Sequence, residues 1–485
     1  MSASLLFIFV IAYFILLLSV AWYTSRNATN ESFFIGNRNS NWMLVSFGMI
    51  GTSLSGVTFV SVPGTVGTQA FSYFQVVVGY FLGYIIVAFV LLPLYYKMQL
   101  TSIYNYLLNR FGFTAYKTGS FFFIVSRVLG ATARLYLVIN VLQIFILNEM
   151  QIPFWLTSFV ILLMILLYTF EGGVKTIVFT DTLQTTFMIA GLLICIGFVM
   201  HAMNFSITDS LHALSQKGFS NTWNTDVKSN GFFLKQVIGG AFITIGMTGL
   251  DQEMMQKNIS VRRLKDSQKN MMTFSVVMVL VNLLFLFLGG ILYVFAASKG
   301  ITATGDDLFP TVALSYMPAF VSVVFIIALI SALFPSADGA LTALTSSFCI
   351  DILGMQRNHS LSEKVKKRKR MVVHFTFAVI FFICIMVFKW IDDKSIIGII
   401  LTVAGYTYGP LLGLFGFGIF TKRVLKENAW TTIICLVAPI LCYLLSVEAK
   451  KWLGGYQIGI ELLLINGMIT FIGLYFISKK AVSNL

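Results

Sequence analysis

The sequence has 485 residues, of which 58% are hydrophobic and only 11% are charged, and its mean hydropathy is +0.87. A soluble domain does not need this much apolar surface, whereas a bundle of transmembrane helices does. The net charge of +14 is carried largely by short connections between apolar segments, as in cytoplasmic loops, and this excludes a nucleic-acid-binding surface. Composition therefore excludes a soluble protein and predicts an all-α membrane protein in the lipid bilayer.

Apolar segments long enough to cross a bilayer follow one another along the chain. We predict thirteen spans, at residues 2–23, 42–67, 72–96, 118–147, 153–170, 177–202, 233–254, 269–297, 319–352, 370–390, 394–421, 428–447 and 458–478. The first segment lacks a preceding basic region, so we expect a retained helix and not a cleaved signal peptide. No soluble domain interrupts the series, which predicts one integral membrane domain over residues 1–485.

Basic residues divide unevenly between the two sides of this series. Connections rich in Lys and Arg, such as 257–269 and 364–370, alternate with connections that are poor in them. Because basic loops stay in the cytoplasm, this pattern predicts an N-terminus outside and a C-terminus inside the cell membrane. No obligate protein partner is indicated.

The second and seventh spans contain residues that weaken a helix. The second has glycines and hydroxyls at 51–56 and then Pro63-Gly64, and the seventh has glycine pairs at 239–240 and 246–249. Interrupted helices in corresponding places of two inverted halves mark the binding site of a transporter. Glycine also allows close packing of membrane helices, which is the alternative interpretation of each stretch.

The ninth span carries Pro335-Ser336-Ala337-Asp338-Gly339 near its middle. A carboxylate and a proline are costly at that depth, and intramembrane ionisable residues usually line the path of an ion or substrate. These features predict a membrane transporter.

One motif points to a particular family. Residues 172–184 read Gly-Gly-Val-Lys-Thr-Ile-Val-Phe-Thr-Asp-Thr-Leu-Gln, which resembles the Gly-Gly…Thr-Asp…Gln signature of the sodium:solute symporter family. Residues 31–38 with Trp42 resemble that family's segment before the first core helix, and residues 252–256 with 262–270 resemble its loop after the sixth core helix. The resemblance implies a LeuT-type five-plus-five inverted repeat at 42–202 and 233–421. One extra helix, 2–23, precedes it and two more, 428–478, follow.

The resemblance also implies one or two co-transported sodium ions. The residues that it associates with sodium are Gly51, Leu54, Ala332, Ser336, Asp181 and Asp338. The family usually has a hydroxyl where this chain has Pro335, so one ligand is lost, while a proline there frees the carbonyl of Ser331. For Asp181 the alternative to an ion-linked role is a favourable interaction with a helix start.

Two arginines, Arg127 and Arg134, lie seven residues apart on one face of the fourth span. Each would cost about 2.5–3.5 kcal/mol or more on a lipid-facing helix, so each needs an anion. Arg134 matches the arginine that holds the substrate carboxylate in the sialic acid branch. The alternative for both arginines is an internal ion pair with Asp181 or Asp338.

Ser53, Ser55 and Thr58 match positions that face the substrate in the family's first core helix, and other polar residues are further candidates. The full set of expected substrate-binding residues is Ser53, Ser55, Thr58, Gln75, Arg134, Thr248, Thr402 and Tyr406, with Tyr408 as a weaker candidate. Together they predict sodium-driven import of a small organic solute, with sialic acid or another carboxylate as the first choice. An uncharged sugar, polyol or amino acid is the alternative solute, and an ion channel or a transporter-like sensor is the alternative class. No nucleophile–base pair or metal cluster suggests an enzyme.

Overall fold

A computed structural model gives the structure of the protein, and it describes residues 3–25, 33, 38–358, 360–391 and 396–480. Most of the segment 31–37, which carries part of the family resemblance, lies outside these residues. The α-helices in chain order are α1 (Ala3–Ser25), α2 (Trp42–Ser53), α3 (Gly56–Gln69), α4 (Tyr73–Ile86), α5 (Leu92–Lys97), α6 (Asn105–Phe111), α7 (Phe113–Leu142), α8 (Phe154–Ala202), α9 (Ile207–Gln216), α10 (Phe233–Thr244), α11 (Gln252–Ile259), α12 (Leu264–Lys299), α13 (Leu308–Thr311), α14 (Ala319–Ser347), α15 (Glu363–Ile391), α16 (Ile396–Thr407), α17 (Gly409–Phe420), α18 (Trp430–Trp452) and α19 (Leu462–Ile477).

Short turns of other helix types extend several of these elements. π-Helical turns lie at Val87–Leu91, Gln143–Leu147, Ile245–Gly249, Val312–Tyr316 and Phe348–Ile352, and 3-10 turns lie at Ala70–Ser72 and Gly305–Asp307. Among the described residues the β contacts are two isolated bridges, Ser40 with Val261 and Val424 with Lys479. The protein is thus all-helical over the part of the chain that the structure describes.

The helices have the length and apolar character of membrane spans. Within the described residues, eight helical segments are long and apolar enough to cross a membrane, and two bent helix pairs raise that number to ten. Shorter apolar helical segments occupy 42–53, 154–169 (the first part of α8) and 462–477. Apolar helices thus lie at the predicted positions, while the count of thirteen crossings stays a prediction. The predicted spans 153–170 and 177–202 both fall within the single helical element α8.

The packing places α8 and α14 at the centre. α8 contacts α14, α1 and α2, while α14 also contacts α2, α3 and α7. Almost the whole second half of α14 is buried, from Ala328 to Ser347. Because this helix carries Ser336 and Asp338, the fold buries the polar part of the ninth span against the interrupted second span.

Both predicted interruptions exist, but each lies at only one of the two stretches that the sequence indicates in its span. In the second span α2 ends at Ser53, and Leu54 adopts a non-helical conformation before α3 begins at Gly56. In the seventh span the chain bends by 65° between the π-turn ending at Gly249 and α11. Pro63 lies inside α3 and Pro335 lies inside α14, so neither proline ends a helix.

The Gly239-Gly240 pair is not an interruption, because it lies within the continuous helix α10. A Cβ atom added at Gly240 would collide with the carbonyl oxygen of Val76, and one added at Gly79 would collide with the carbonyl oxygen of Val237. These glycines allow the backbones of α4 and α10 to approach each other closely. The packing interpretation is therefore correct for 239–240, and the break follows 246–249.

Candidate functional site: a broken helix, a polar cavity and a buried ion-pair chain

The end of α2 is pressed against α8 beside Asp181. A Cβ atom added at Gly48 would lie 3.2 Å from the Asp181 Cβ atom, and one added at Gly51 would collide with the Thr185 hydroxyl. The last carbonyls of a helix have no partner within the helix, and Gly51 belongs to this last turn. The carbonyl oxygens at the end of α2 are therefore free of hydrogen bonds within the helix. They lie where the glycines let α8 approach α2 closely.

Helix α14, which contacts both α2 and α3, carries a buried hydroxyl. Ser336 is buried, and its hydroxyl oxygen has no hydrogen-bond partner among the described residues. Ala332, one turn earlier, is fully buried as well. A buried hydroxyl without a partner is costly, and released carbonyls with a hydroxyl are the hard oxygen ligands that a sodium ion prefers. The donor set around Gly51, Leu54, Ala332 and Ser336 fits a sodium ion in chemical type.

Asp338, unlike Ser336, has hydrogen-bond partners for its side chain among the described residues. It is fully buried, and its carboxylate accepts a hydrogen bond of 2.7 Å from the Tyr168 hydroxyl and another from the Gly339 amide. No Lys or Arg nitrogen lies within 4.0 Å of it in the part of the chain that the structure describes. The structure therefore shows a hydroxyl and an amide as its partners.

A chain of buried charges runs through the inner part of the bundle. The Lys257 ammonium lies 2.7 Å from Asp181 Oδ2 and 3.5 Å from Glu253 Oε1. Glu253 also contacts the Arg127 guanidinium, which lies 3.6 Å from Asp251 Oδ2. All five residues are at most 3% exposed. Each buried charge therefore has an opposite charge beside it, as burial in a bundle requires.

This chain corrects two sequence-based expectations. The alternative that Arg127 pairs with Asp181 or Asp338 is wrong, since its partners are Asp251 and Glu253. The sequence also places Lys257 in the basic connection 257–269, which is expected to be cytoplasmic, but the residue is buried against Asp181. The physical reason is that the break after Gly249 starts α11 inside the bundle, so the first turns of that helix replace the expected loop.

Local structure explains why the start of α11 is ordered there. Asp251 is the N-cap residue, and its Oδ1 atom accepts hydrogen bonds from the amides of Glu253 and Met254. Its Oδ2 atom accepts a hydrogen bond of 2.8 Å from the Tyr408 hydroxyl. Sequence reasoning missed Asp251, Glu253 and Lys257 as site residues. The available signal was an acidic cap after a glycine-rich turn, with Glu253 and Lys257 spaced to share a helix face.

A polar cavity of about 100 Å³ adjoins this chain, because Arg127 is one of its lining residues. Its walls come from the α2–α3 break, α4, α7, α10 with its π-turn, α12 and α16. Polar lining residues include Thr52, Ser53, Ser55, Thr58, Tyr73, Tyr80, Tyr84, Arg127, Arg134, Thr244, Thr248 and Asn282. Five of the residues expected to bind substrate, Ser53, Ser55, Thr58, Arg134 and Thr248, thus line one cavity.

Arg134 differs from Arg127 in its surroundings. It is only partly buried, and it lines the cavity together with Tyr73 and Tyr80, whose hydroxyls lie 3.4 Å apart. Within the described residues no carboxylate lies within 4.0 Å of its guanidinium group. The expected internal pairs of Arg134 with Asp181 or Asp338 are therefore not formed in this structure.

The other three expected substrate residues line a second cavity of about 840 Å³. Gln75, Thr402 and Tyr406 are in its walls, and Tyr73 and Leu401 line both cavities, so the two adjoin. Gln75 accepts a hydrogen bond from the Asn224 amide, and the Tyr406 hydroxyl bonds to that of Ser446. The structure therefore places these three residues in a vestibule and not in the inner cavity.

The family model of the sodium:solute symporter family matches residues 33–435 of this sequence. The chain belongs to the sodium:solute symporter family, which is a family of membrane transporters.

Two relatives and one solved structure are similar to this chain over most of its length. The sodium/sialic acid symporter SiaT of Proteus mirabilis (strain HI4320) is 22% identical over 438 residues, covering 88% of this chain and 86% of the relative. The sodium/sialic acid symporter NanT of Aliivibrio fischeri (strain ATCC 700601 / ES114) is 22% identical, covering 96% and 93%. A substrate-bound, outward-open structure of a sodium-coupled sialic acid symporter superposes with a TM-score of 0.84 at 20% identity, covering 98% of this chain and 99% of that one. The chain shares the fold of that transporter.

Proposed function

We propose that this protein is a sodium-driven symporter that imports a small organic anion, with sialic acid as the first candidate. The observation that carries the proposal is the Arg134 guanidinium, which lines a hydroxyl-rich cavity and has no carboxylate beside it in the described residues. A guanidinium group binds a carboxylate in a bidentate manner, and hydroxyls around it match a polyhydroxylated acid. The similarity to sodium/sialic acid symporters supports the same solute class.

The sodium ion in this proposal binds where α2 ends. Its ligands are the carbonyl oxygens of Gly51, Leu54 and Ala332 and the hydroxyl of Ser336. The unpartnered, buried Ser336 hydroxyl supports this assignment, because a cation would satisfy it. Asp338 lies further along the same helix and adds negative charge near the path of the ion.

Sodium and solute are coupled through the α2–α3 break in this account. Gly51 and Leu54 face the ion, while Ser53, Ser55 and Thr58 line the solute cavity. An ion that fixes the released carbonyls also fixes the cavity wall, so each ligand raises the affinity for the other. Occupation of both sites then permits rocking of one helix group against the other, as in inverted-repeat transporters.

The orientation of the protein belongs to this proposal as well. The N-terminus lies outside the cell membrane and the C-terminus lies in the cytoplasm, in keeping with the basic connections at 364–370 and 422–423. The vestibule that holds Gln75 then opens to the outside, and the buried ion-pair chain lies on the cytoplasmic side of the solute.

Uptake of radiolabelled N-acetylneuraminate into proteoliposomes tests the proposal. We expect accumulation with an inward sodium gradient and its loss when choline replaces sodium or when an ionophore collapses the gradient. Unlabelled carboxylates, sugars and amino acids added in excess identify the accepted solute class. Equal accumulation with sodium and with choline would show that transport is not coupled to sodium.

A further inference from the structure

Lys257 occupies a position that resembles the binding site of a cation. Its ammonium nitrogen lies 2.6 Å from the Thr52 hydroxyl and 2.7 Å from Asp181 Oδ2, and Glu253 Oε1 is 3.5 Å away. The three oxygens come from α2, α8 and α11. An ammonium group has three N–H donors and no acceptor, so this arrangement gives each donor one oxygen.

The surroundings hold this ammonium group in place. Lys257 is 3% exposed, Asp181 is fully buried, and the Thr52 hydroxyl also lies 3.2 Å from Asp181 Oδ2. Gly339 leaves room for the Glu253 carboxylate, because a Cβ atom at position 339 would collide with Glu253 Oε1. The lysine and its three oxygen partners therefore form a buried, closely packed unit, with Thr52 at the wall of the polar cavity.

The position lies beside the proposed sodium site. Thr52 follows Gly51 in the last turn of α2, so the ammonium and the proposed sodium ion contact the same helix end. The second oxygen of Asp181, Oδ1, has no hydrogen-bond partner in the described residues, and a further sodium ion would have to bind there. Such an ion would place a second positive charge on a carboxylate that already contacts the Lys257 ammonium group at 2.7 Å.

We propose that Lys257 is a tethered cation: its ammonium group holds Asp181 throughout the transport cycle, so that this carboxylate does not bind sodium and one sodium ion is coupled to each solute molecule. The inference rests on the proposed function, since it counts the ions of that same cycle. The Lys257 ammonium group thus takes the place of a second co-transported sodium ion.

A consequence for transport follows from the charges. One sodium ion and one monovalent anion carry no net charge together, so the membrane potential does not drive their import. Two sodium ions with the same anion would carry one positive charge inward and would respond to voltage. The voltage dependence of transport by the wild type therefore indicates how many sodium ions accompany each anion.

Equilibrium binding of radioactive sodium to the purified full-length protein tests the inference directly. We expect one sodium ion per chain in the wild type and a Hill coefficient near one. Lys257→Met keeps most of the side-chain stem and removes the charge, so we expect a second sodium ion at Asp181, a Hill coefficient above one and a larger sodium-induced rise in Tm. Lys257→Arg keeps a fixed cation and should bind one sodium ion.

Lys366→Met is the matched control, because Lys366 pairs with Glu363 at 2.9 Å on the surface of α15. This variant should bind one sodium ion, like the wild type. Two sodium ions in the wild type, falling to one in Asp181→Asn, would overturn the tethered-cation inference and leave sodium symport intact. No sodium binding in the wild type would instead contradict the proposed function itself.

If Lys257→Met does not fold, transport by the wild type still tests the number of coupled sodium ions. N-acetylneuraminate uptake into proteoliposomes is measured at zero potential and at about −100 mV inside, set with potassium and valinomycin. Initial rates that differ by less than about twofold are expected. A severalfold acceleration by the negative potential, together with two sodium ions bound per chain, would contradict the inference.

Discussion

The two helix breaks of this protein differ in chemistry although they occupy corresponding places in the series. The break between α2 and α3 contains no charged residue, and the whole segment from Trp42 to Gln69 is free of Asp, Glu, Lys and Arg. The break between the π-turn and α11 is followed at once by Asp251, Glu253 and Lys257, all of them buried.

Under the proposed function, this difference gives the two breaks different roles. Neutral carbonyls at the first break suit a small cation that must bind and leave. Fixed charges at the second break pair with one another, with Arg127 and with Asp181, so they hold the inner side of the bundle together. The following predictions test that division, beginning with the largest effect.

Removing Arg127 should have the largest effect on stability. Arg127→Ala leaves Glu253 and Asp251 buried without their shared cation, and breaking a buried pair in this way costs about 3–5 kcal/mol. Thermal unfolding of the detergent-solubilised protein measures the loss. Arg262, exposed before α12, is the control, because its replacement by Ala should change stability by no more than about 0.5 kcal/mol. Equal small shifts in both variants would show that the charged break does not hold the bundle together.

A methyl group at Gly240 should destabilise the α4–α10 contact. The added Cβ collides with the Val76 carbonyl, which is backbone and cannot rotate away, so we expect a loss of about 1–3 kcal/mol. Gly197→Ala is the control, since nothing lies within 4 Å of a Cβ atom there. Denaturation curves of both variants compare the two sites. A neutral Gly240→Ala would mean that the glycine pair is not needed for packing.

Replacing Arg134 by Lys should weaken solute binding selectively. The ammonium group keeps the charge but loses the bidentate geometry, and we expect about tenfold lower affinity for N-acetylneuraminate, or ~1.4 kcal/mol. Calorimetric titration in saturating sodium measures this, and the Tm without solute should stay within the error of the wild type. Unchanged affinity combined with a lower Tm would indicate a structural role for Arg134.

The Ser336 hydroxyl should matter for sodium alone. Ser336→Ala removes one neutral ligand, a loss of about 0.5–1.5 kcal/mol, so the sodium concentration for half-maximal uptake should rise about two- to tenfold. Ser331→Ala on the same helix is the control, because its hydroxyl is engaged with Tyr13 and the Ile327 carbonyl. An equal response in both variants would remove Ser336 from the sodium site.

The sequence predicted the all-helical fold and five of the residues that line the inner cavity. Hydropathy located the apolar helices, because burial in lipid requires long uninterrupted runs of apolar residues. The position of the first break was also correct, since glycine and hydroxyl residues at 51–56 weaken a helix where no side chain supports it. Five residues that were expected to bind substrate line one cavity: Ser53, Ser55, Thr58, Arg134 and Thr248.

The start of α11 could not be predicted in the same way. A run containing Asp251, Glu253 and Lys257 has the composition of a solvated loop, and only tertiary contacts with Arg127 and Asp181 make its burial favourable. Local patterns do not report such contacts, because the partners are more than 70 residues away. Likewise, the glycines at 239–240 weaken a helix in isolation, whereas packing against α4 keeps α10 continuous.

An experimental structure determined in sodium, with thallium as an anomalously scattering substitute, tests the central claim most directly. The account predicts one cation peak at the end of α2, within ligand distance of the Gly51 and Leu54 carbonyls and the Ser336 hydroxyl, with Lys257 still bound to Asp181. A cation on Asp181 with Lys257 displaced, or no cation at the α2–α3 break, would contradict it.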